Sequence, residues 1–251
     1  MNLLKKILFK LLSERAYVRV LHRSFYLLYN LGFLKRDKRF KYHYAIQKII
    51  KPDDVVLDIG ANLGYFAKTF AKLTPNGKVI CVEPVPLFNE TLHFFLSKFP
   101  QVEIHSVALG EEEGRVRMAL PKTNGVLRTG LPHIVKQNEN NENSSETIDV
   151  ELRSAKSFFK NLDKIDYIKC DVEGYEKTVF TEIKDVINTK RPIVQIEIAE
   201  ENRSFFFDYF KSIDYLQYGI VNFEFKKENN SQDEEGDFLF VPSESEDFVK
   251  Q

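Results

Sequence analysis

The sequence contains no tryptophan and only two cysteines and two methionines. Cys81 and Cys170 both fall inside apolar stretches that predict strands, so we interpret them as buried thiols, which excludes a disulfide framework. Apolar runs near the start are too short and too often charged for a transmembrane helix. Lys10 interrupts the first of them and no small-residue cleavage site follows, so we expect no secretory signal. These absences together indicate a cytoplasmic protein.

The net charge of −1 conceals an uneven distribution along the 251 residues. Residues 1–50 contain 12 Lys or Arg against two acids, a balance of +10, whereas the remainder contains 24 against 35, a balance of −11. Such an asymmetry favours an anionic surface as the partner of the first segment. The acidic remainder argues against nucleic-acid binding.

Residues 1–50 predict helices with apolar stripes, and we treat them as an N-terminal extension of the main domain, residues 51–251. One stripe contains Leu4, Leu8, Leu11 and Leu12. A second helix is predicted over residues 16–31. Two interpretations stay open: a helical cap packed on the domain, or a basic amphipathic helix on an anionic membrane. The second would hold the protein peripherally at the inner membrane face.

From Pro52 onwards, predicted strands and helices alternate, which is typical of an α/β doubly wound sheet. The predicted parallel strands cover residues 55–58, 78–83, 102–107, 166–170 and 192–198. Residues 216–225 and 237–241 predict an antiparallel end, and residues 115–120 an added strand or hairpin arm. Residues 122–145 are Asn-rich and show almost no periodicity, so we expect either a lid over the substrate or plain disorder.

The stretch Val55 to Phe66, V-V-L-D-I-G-A-N-L-G-Y-F, reads as a buried strand, a glycine turn and a helix start. This arrangement forms a nucleotide-binding corner. The G-x-G-x-x-G spacing that seats a pyrophosphate is absent. The turn instead has a carboxylate, Asp58, before Gly60, with Asn62 and Gly64 following. It therefore favours a cationic cofactor without phosphate, such as S-adenosylmethionine.

Polar residues at or just past the predicted strand ends should share one rim of the sheet, where ligands of open α/β folds bind. These residues are Asp58, Glu83, Ser106, Asp171 and Glu197. Glu83 is placed to hold two ribose hydroxyls, the alternative being a solvated charge. We expect Asp58 to face the cationic part of the cofactor. Asn62 would bind its carboxylate or carry the turn, and Ser106 would contact adenine or simply occupy a turn.

Several motifs resemble the FkbM-type S-adenosylmethionine-dependent methyltransferases over most of residues 54–242. They are V-L-D-I-G-A-N-L-G-Y-F, V-E-P at 82–84, V-A-L-G at 107–110, I-D-Y-I-K-C-D-V-E-G-Y-E at 165–176, I-E-I at 196–198 and F-L-F-V-P near the end. D-V-E-G-x-E is the most specific of these. Ser106 stands where the family often has Asn. The resemblance implies a class I, Rossmann-like fold and an O-methyltransferase acting on a natural product or sugar.

Methyl transfer to a hydroxyl requires alignment of acceptor and sulfonium, and a base or a metal beside the acceptor. We predict Asp171 as that base, with positioning of the cofactor amino group as its alternative. Glu173 should face the same cleft, and Glu197 should bind acceptor hydroxyls. These three carboxylates would instead hold Mg²⁺ if a metal is used, although no spacing demands one.

The leading prediction is an O-methyltransferase for a hydroxyl of a sugar, glycan or lipid-linked saccharide. Two alternatives stay open. One is an NAD-dependent oxidoreductase of the same fold class, which the missing third glycine disfavours. The other is a methyltransferase fold retained as a non-catalytic binding or scaffold protein.

Overall fold

A computed structural model describes residues 9, 11–123, 126–135, 146–227 and 237–248. Its largest element is an eight-stranded sheet with the order β13-β12-β14-β11-β10-β1-β2-β3. These strands are β1 Val55–Ile59, β2 Lys78–Val82, β3 Val102–His105, β10 Tyr167–Cys170, β11 Ile193–Glu197, β12 Tyr215–Val221, β13 Glu224–Lys227 and β14 Asp237–Pro242.

Helices connect and flank these strands. They are α1 Glu14–Asn30, α2 Lys41–Ala45, α3 Ala67–Leu73, α4 Pro86–Leu96, α5 Ala155–Phe159, α6 Glu176–Glu182, α7 Lys184–Lys190 and α8 Arg203–Ser212. Single-turn 3₁₀ helices cover Phe33–Arg36, Lys38–Phe40, Ile46–Lys48, Glu200–Asn202 and Ser243–Phe248.

The sheet is parallel from β11 through β10, β1 and β2 to β3, and antiparallel where β14, β12 and β13 complete it. This confirms the doubly wound sheet with an antiparallel end. β1 lies between β2 and β10, so the chain order reverses between β1 and β10. Ligands of open α/β sheets bind beyond the carboxyl ends of the strands at such a point.

A second, four-stranded sheet with the order β4-β9-β5-β8 stands beside the first. Its strands are β4 Ala108–Gly110, β5 Gly114–Leu120, β8 His133–Ile134 and β9 Glu146–Ser154, and a hairpin joins β6 Lys122–Thr123 to β7 Val126–Leu127. Residues 122–123 and 126–135 are therefore not the structureless loop that the sequence predicts. Residues 124–125 and 136–145 lie outside the described part of the chain, so the choice between lid and disorder stays open for them.

Two buried clusters cover the two faces of the large sheet. One contains Ile59, Phe180 and Phe206, and the other contains Val56, Phe70 and Tyr167. Both cysteines are free and buried, as expected from their apolar surroundings. Much of the phenylalanine therefore serves as packing on either side of the strands.

Helix α1 is packed on the domain. Ser13 caps its start by accepting a hydrogen bond from the Ala16 amide at 3.3 Å, and Gly32, with a φ of +75°, follows its end. Its buried residues are Tyr17, Val18, His22, Phe25 and Tyr26. The inner face of α1 is therefore buried against the rest of the domain. In the described ranges, no helix is long and apolar enough to cross a membrane. Of the leucine stripe, Leu4 and Leu8 lie outside these ranges, whereas Leu11 is exposed and Leu12 packs against the buried cluster that contains Tyr17 and Val18.

Two predicted elements are interrupted in the structure. The strand expected over residues 216–225 is a hairpin, because Asn222 and Phe223 take φ values of +53° and +62° and form a tight turn between β12 and β13. A phenylalanine in such a turn carries no sequence signal for it. The helix expected to end near Asn188 is likewise divided at Ile183 into α6 and α7.

Candidate active site

The turn after β1 begins at Gly60, whose φ is +78°. A Cβ atom at this position would overlap the backbone carbonyl oxygen of Asp171 at the end of β10. The glycine is therefore required by the close approach of two strand ends within the chain. Gly60 also lines the cavity described below.

Asn62 shapes the turn with both its backbone and its side chain. It takes a φ of +52°, donates through its side chain to the Thr129 carbonyl at 2.5 Å and accepts from the Leu63 amide at 2.7 Å. It thereby attaches the turn to the second sheet. Gly64, with a φ of +83°, faces Leu92 instead, where a Cβ would lie 2.8 Å from that side chain. Gly64 serves the turn and does not line the cavity.

Glu83 follows β2 with only 4% of its surface exposed. One carboxylate oxygen accepts from the Asn62 amide at 2.8 Å and the other from the Val85 amide at 2.8 Å. Burial raises the pKa of Glu83 to about 7, against the opposing effect of these two amides. Each oxygen keeps one further lone pair, so the carboxylate remains able to accept from two hydroxyls.

A cavity opens at the carboxyl ends of β1, β2 and β10, with about 670 Å³ of empty space that includes the open solvent at its mouth. Its polar lining includes Asn62, Glu83, Asp171 and Glu173. Its apolar lining includes Val85, Phe88, Leu109, Met118, Pro132, Ile134 and Tyr175. Much of the apolar wall comes from α4 and the second sheet, and sequence analysis assigned none of it to the site.

Asp171 lies at the cavity and accepts a hydrogen bond of 3.0 Å from the ammonium group of Lys169. Burial alone would raise the pKa of Asp171, but the Lys169 charge and hydrogen bonds from Glu197 and Lys169 outweigh it and lower the pKa. Lys169 is 4% exposed, and nearby acids, Asp171 first, raise its pKa against the effect of burial. Both groups are therefore ionised near neutral pH.

Glu173 lines the cavity together with Asp171, and Glu197 lies beside them but is not among the lining residues. One carboxylate oxygen from each of the three lies within 4.8 Å of the others. Both glutamates are exposed as whole residues, but partial desolvation and the charges of Asp171 and Glu176 raise the pKa of Glu173 to about 7. The pKa of Glu197 is raised by burial, by the charge of Asp171 and by its hydrogen bond to Asp171. Glu197 therefore stays protonated and donates a hydrogen bond to Asp171.

The same three carboxylates are candidate ligands for a metal ion. Three carboxylates at this spacing present oxygen ligands of the kind that Mg²⁺ takes. However, the Lys169 ammonium already compensates Asp171, and Glu197 carries a proton. These protonation states hold in the absence of an ion, so the Mg²⁺ alternative stays a prediction.

Asp58 is fully buried and does not line the cavity. It pairs in register with Lys169 on β10, and burial raises its pKa to about 6 against the Lys169 charge. Neither carboxylate oxygen has a hydrogen bond within 3.5 Å among the described residues, although the nearby Ala67 amide lowers the pKa slightly. The geometry therefore gives no support to direct contact between Asp58 and a cofactor.

Ser106 is exposed and is not among the residues that line the cavity, so the structure does not bring it together with the other predicted residues. Its neighbours Val107 and Ala108 take that place. Glu176 is the first residue of α6. It is buried and accepts from the Val172 amide at 2.9 Å and the Gly174 amide at 3.0 Å, which fixes the loop that carries Glu173.

Comparison with known proteins agrees with this architecture. The sequence model described as the Methyltransferase FkbM domain matches residues 58–226. The protein named 2-O-methyltransferase NoeI from Sinorhizobium fredii is 27% identical over 180 residues, which cover 68% of this chain and 74% of that protein. AMB antimetabolite synthetase AmbE from Pseudomonas aeruginosa is 36% identical over only 66 residues, 26% of this chain and 3% of that protein.

Among solved structures, the methyltransferase FkbM from Methylobacillus flagellatus superposes with a TM-score of 0.50 at 17% identity. The match covers 76% of this chain and 44% of that one. At this identity the similarity concerns the fold alone, and it confirms the predicted class I, Rossmann-like methyltransferase fold.

Proposed function

The chain belongs to the FkbM methyltransferase family, and we propose on that basis that it uses S-adenosylmethionine to methylate a hydroxyl of a sugar, glycan or lipid-linked saccharide. One observation carries the choice of a hydroxyl acceptor. Glu173, with a pKa of about 7, lies at the mouth of the cavity beside the ionised Asp171. A hydroxyl must lose a proton during transfer, and a base is most effective when its pKa is near the working pH.

The lining of the cavity fits S-adenosylmethionine. Glu83 has a lone pair on each oxygen for the ribose hydroxyls, and the apolar side chains of Val85, Phe88 and Met118 suit an adenine ring. The carboxylates at the mouth suit a cation. When bound, the cofactor supplies a methyl group on a positively charged sulfur.

The side chains at the mouth then have distinct roles. Glu173 takes the proton of the reacting hydroxyl. Asp171 accepts hydrogen bonds from a polyhydroxy acceptor. The Asp171 carboxylate is itself held in place by Lys169 on one side and by the protonated Glu197 on the other. This departs from our prediction of Asp171 as the base, because the neighbouring ammonium group lowers its pKa and makes it a weaker base. Tight positioning of the acceptor is the largest contribution that such a site can make.

The name of the relative NoeI, a 2-O-methyltransferase, supports an oxygen acceptor. Membership of a methyltransferase family argues against the NAD-dependent alternative, and the ionisable groups at the mouth favour an active enzyme over a scaffold.

The proposal is tested with S-adenosylmethionine carrying a labelled methyl group and a fractionated cell extract. We expect the label in the saccharide or lipid-linked saccharide fraction, as an ether that resists mild alkali. Transfer should be lost in Asp171→Asn. A label released as methanol by mild alkali would identify a methyl ester and overturn the hydroxyl acceptor. Label confined to nucleic acid or protein would overturn the saccharide class.

A further inference from the structure

Large apolar side chains remain exposed at the end of α1 and just after it. The exposed fractions are 60% for Leu27, 41% for Leu28, 61% for Leu31 and 61% for Phe33. We call these four residues the apolar ridge. Leu27 and Leu31 lie one turn apart on the same side of the helix, with Leu28 beside them. Contiguous apolar exposure of this kind marks a surface for a partner or a membrane.

The ridge is not required for packing of the domain, because the opposite side of α1 already provides it. His22 donates a 2.7 Å hydrogen bond to the Leu63 carbonyl, and Tyr26 donates to the Tyr65 carbonyl at 2.9 Å. These contacts fix the rotation of the helix about its axis. The ridge is thus held outward by a rigid element, so little ordering is needed when something binds it.

Basic side chains surround the ridge. Residues 14–41 contain eight Lys or Arg and two acids, a net charge of +6. Arg23, Arg36 and Lys38 are exposed, and one of the two acids, Asp37, is already bound to Arg39 at 2.6 Å. An apolar strip within a positive field is complementary to a surface that is apolar at depth and negative at its boundary.

We propose that the apolar ridge docks on an anionic lipid bilayer. The leucines and Phe33 enter the boundary between headgroups and acyl chains, while the surrounding Lys and Arg side chains contact the anionic headgroups. A second copy of the chain fits this surface less well, because a two-fold interface would bring two faces of the same positive charge together.

The helix that carries the ridge also packs near the site. Tyr17 and Val18, close to the start of α1, pack in the same cluster as Val85 and Phe88, which line the cavity. One helix therefore carries the ridge at its end and packs, near its start, against residues that line the cavity. The proposal itself does not depend on methyl transfer.

Flotation with vesicles tests the proposal. The full chain should float with vesicles of equal parts phosphatidylcholine and phosphatidylglycerol at low salt, and should not float with phosphatidylcholine alone. Raising the salt to 1 M should weaken binding, because exposed charges are then screened. In the triple variant L27S/L31S/F33S, the lipid affinity should fall by about tenfold or more.

Two matched variants separate docking from general effects. V221S removes a side chain of 42% exposure that is not part of the ridge, and it should float like the parent protein. R23E/R36E/K38E should lose about tenfold or more in lipid affinity, whereas K156E/K160E should not. Thermal unfolding should be unchanged in all of these variants, because every altered side chain is exposed.

Three results would overturn the proposal. The parent protein could ignore the anionic vesicles, or the triple variant could float as well as the parent. Alternatively, sedimentation could show a dimer that L27S/L31S/F33S dissociates, which would identify a second copy as the occupant of the ridge.

Discussion

Lys169 reaches the end of β10 from an almost wholly buried position and donates a 3.0 Å hydrogen bond to Asp171. Asp171 follows Lys169 by two residues along the extended chain, so both side chains lie on the same face of the sheet. Asp58, the register partner of Lys169, lies on that face too. One buried ammonium group thus links the acid of the glycine turn to the acid at the cavity, and it keeps Asp171 ionised.

Replacing Asp171 by Asn should separate chemistry from cofactor binding. We expect kcat to fall about 100-fold or more while the Kd for S-adenosylmethionine stays within about threefold. The charge of Asp171 also contributes to the raised pKa of Glu173, so the pH–rate profile of the variant should shift towards lower pH. Single-turnover kinetics and calorimetry measure both effects. An equal loss of cofactor affinity would instead make Asp171 a cofactor ligand.

The pH dependence of the reaction should report Glu173. The base acts in its ionised form and its pKa is raised to about 7, so kcat/KM should rise with pH up to about 7 and level off above it. In Glu173→Gln the rate should fall and this inflection should disappear. Glu182, half-buried on the following helix and outside the lining of the cavity, provides the control, and Glu182→Gln should keep the profile of the parent. An unchanged inflection in Glu173→Gln would assign the base elsewhere.

Gly60→Ala should lower the stability of the fold itself, and not merely cofactor affinity. The added Cβ overlaps the Asp171 carbonyl, and the backbone has a positive φ. Strain and overpacking together predict a loss of about 2 kcal/mol or more in the free energy of unfolding. A Cβ added at Gly114 meets no atom within 4 Å, so Gly114→Ala is the matched control. Denaturant unfolding without cofactor distinguishes the two variants, and equal stability would refute this account of the turn.

His43 should make stability sensitive to acid. Its ring stacks on Phe66 at 3.8 Å, neither ring nitrogen has a hydrogen bond among the described residues, and burial lowers its pKa to about 3, assisted by the Lys169 charge. The unfolded chain binds a proton below about pH 6.5 and the folded chain does not, so stability falls as the pH falls below that value.

His43→Phe removes this dependence. Relative to the parent, the variant should gain about 2 kcal/mol of unfolding free energy between pH 7 and pH 5. His93 is exposed, and His93→Phe should give no such gain. Urea unfolding at the two pH values provides the comparison. A parallel pH dependence in parent and His43→Phe would show that His43 is not kept neutral by the fold.

Much of the fold and part of the site follow from local sequence. Apolar runs that end in Asp58, Glu83 and Asp171 predict parallel strands whose carboxyl ends meet, and the sheet confirms this. Asp58 nevertheless points into the core while Asp171 reaches the cavity. The direction of a side chain at a strand end depends on register and twist, which the sequence of one strand does not contain.

Contacts between distant segments explain the remaining differences. In the sequence, Lys169 is a single charged residue within a predicted strand. It lies beside Asp58 only because β10 pairs with β1. The apolar wall of the cavity depends on where the second sheet lies relative to α4. No short stretch of the sequence indicates that arrangement. Ser106 follows a strand as predicted, but its side chain is exposed.

Titration calorimetry of the purified chain with S-adenosylmethionine tests the central claim most directly. We predict that the parent protein binds this cofactor and not NAD. Glu83→Gln should bind about tenfold or more weakly, because a charge-assisted contact to the ribose is lost. The exposed Glu90, on the helix that follows, gives the control Glu90→Gln, with unchanged affinity. Binding of NAD without binding of S-adenosylmethionine, or equal affinity in Glu83→Gln and the parent, would contradict the account.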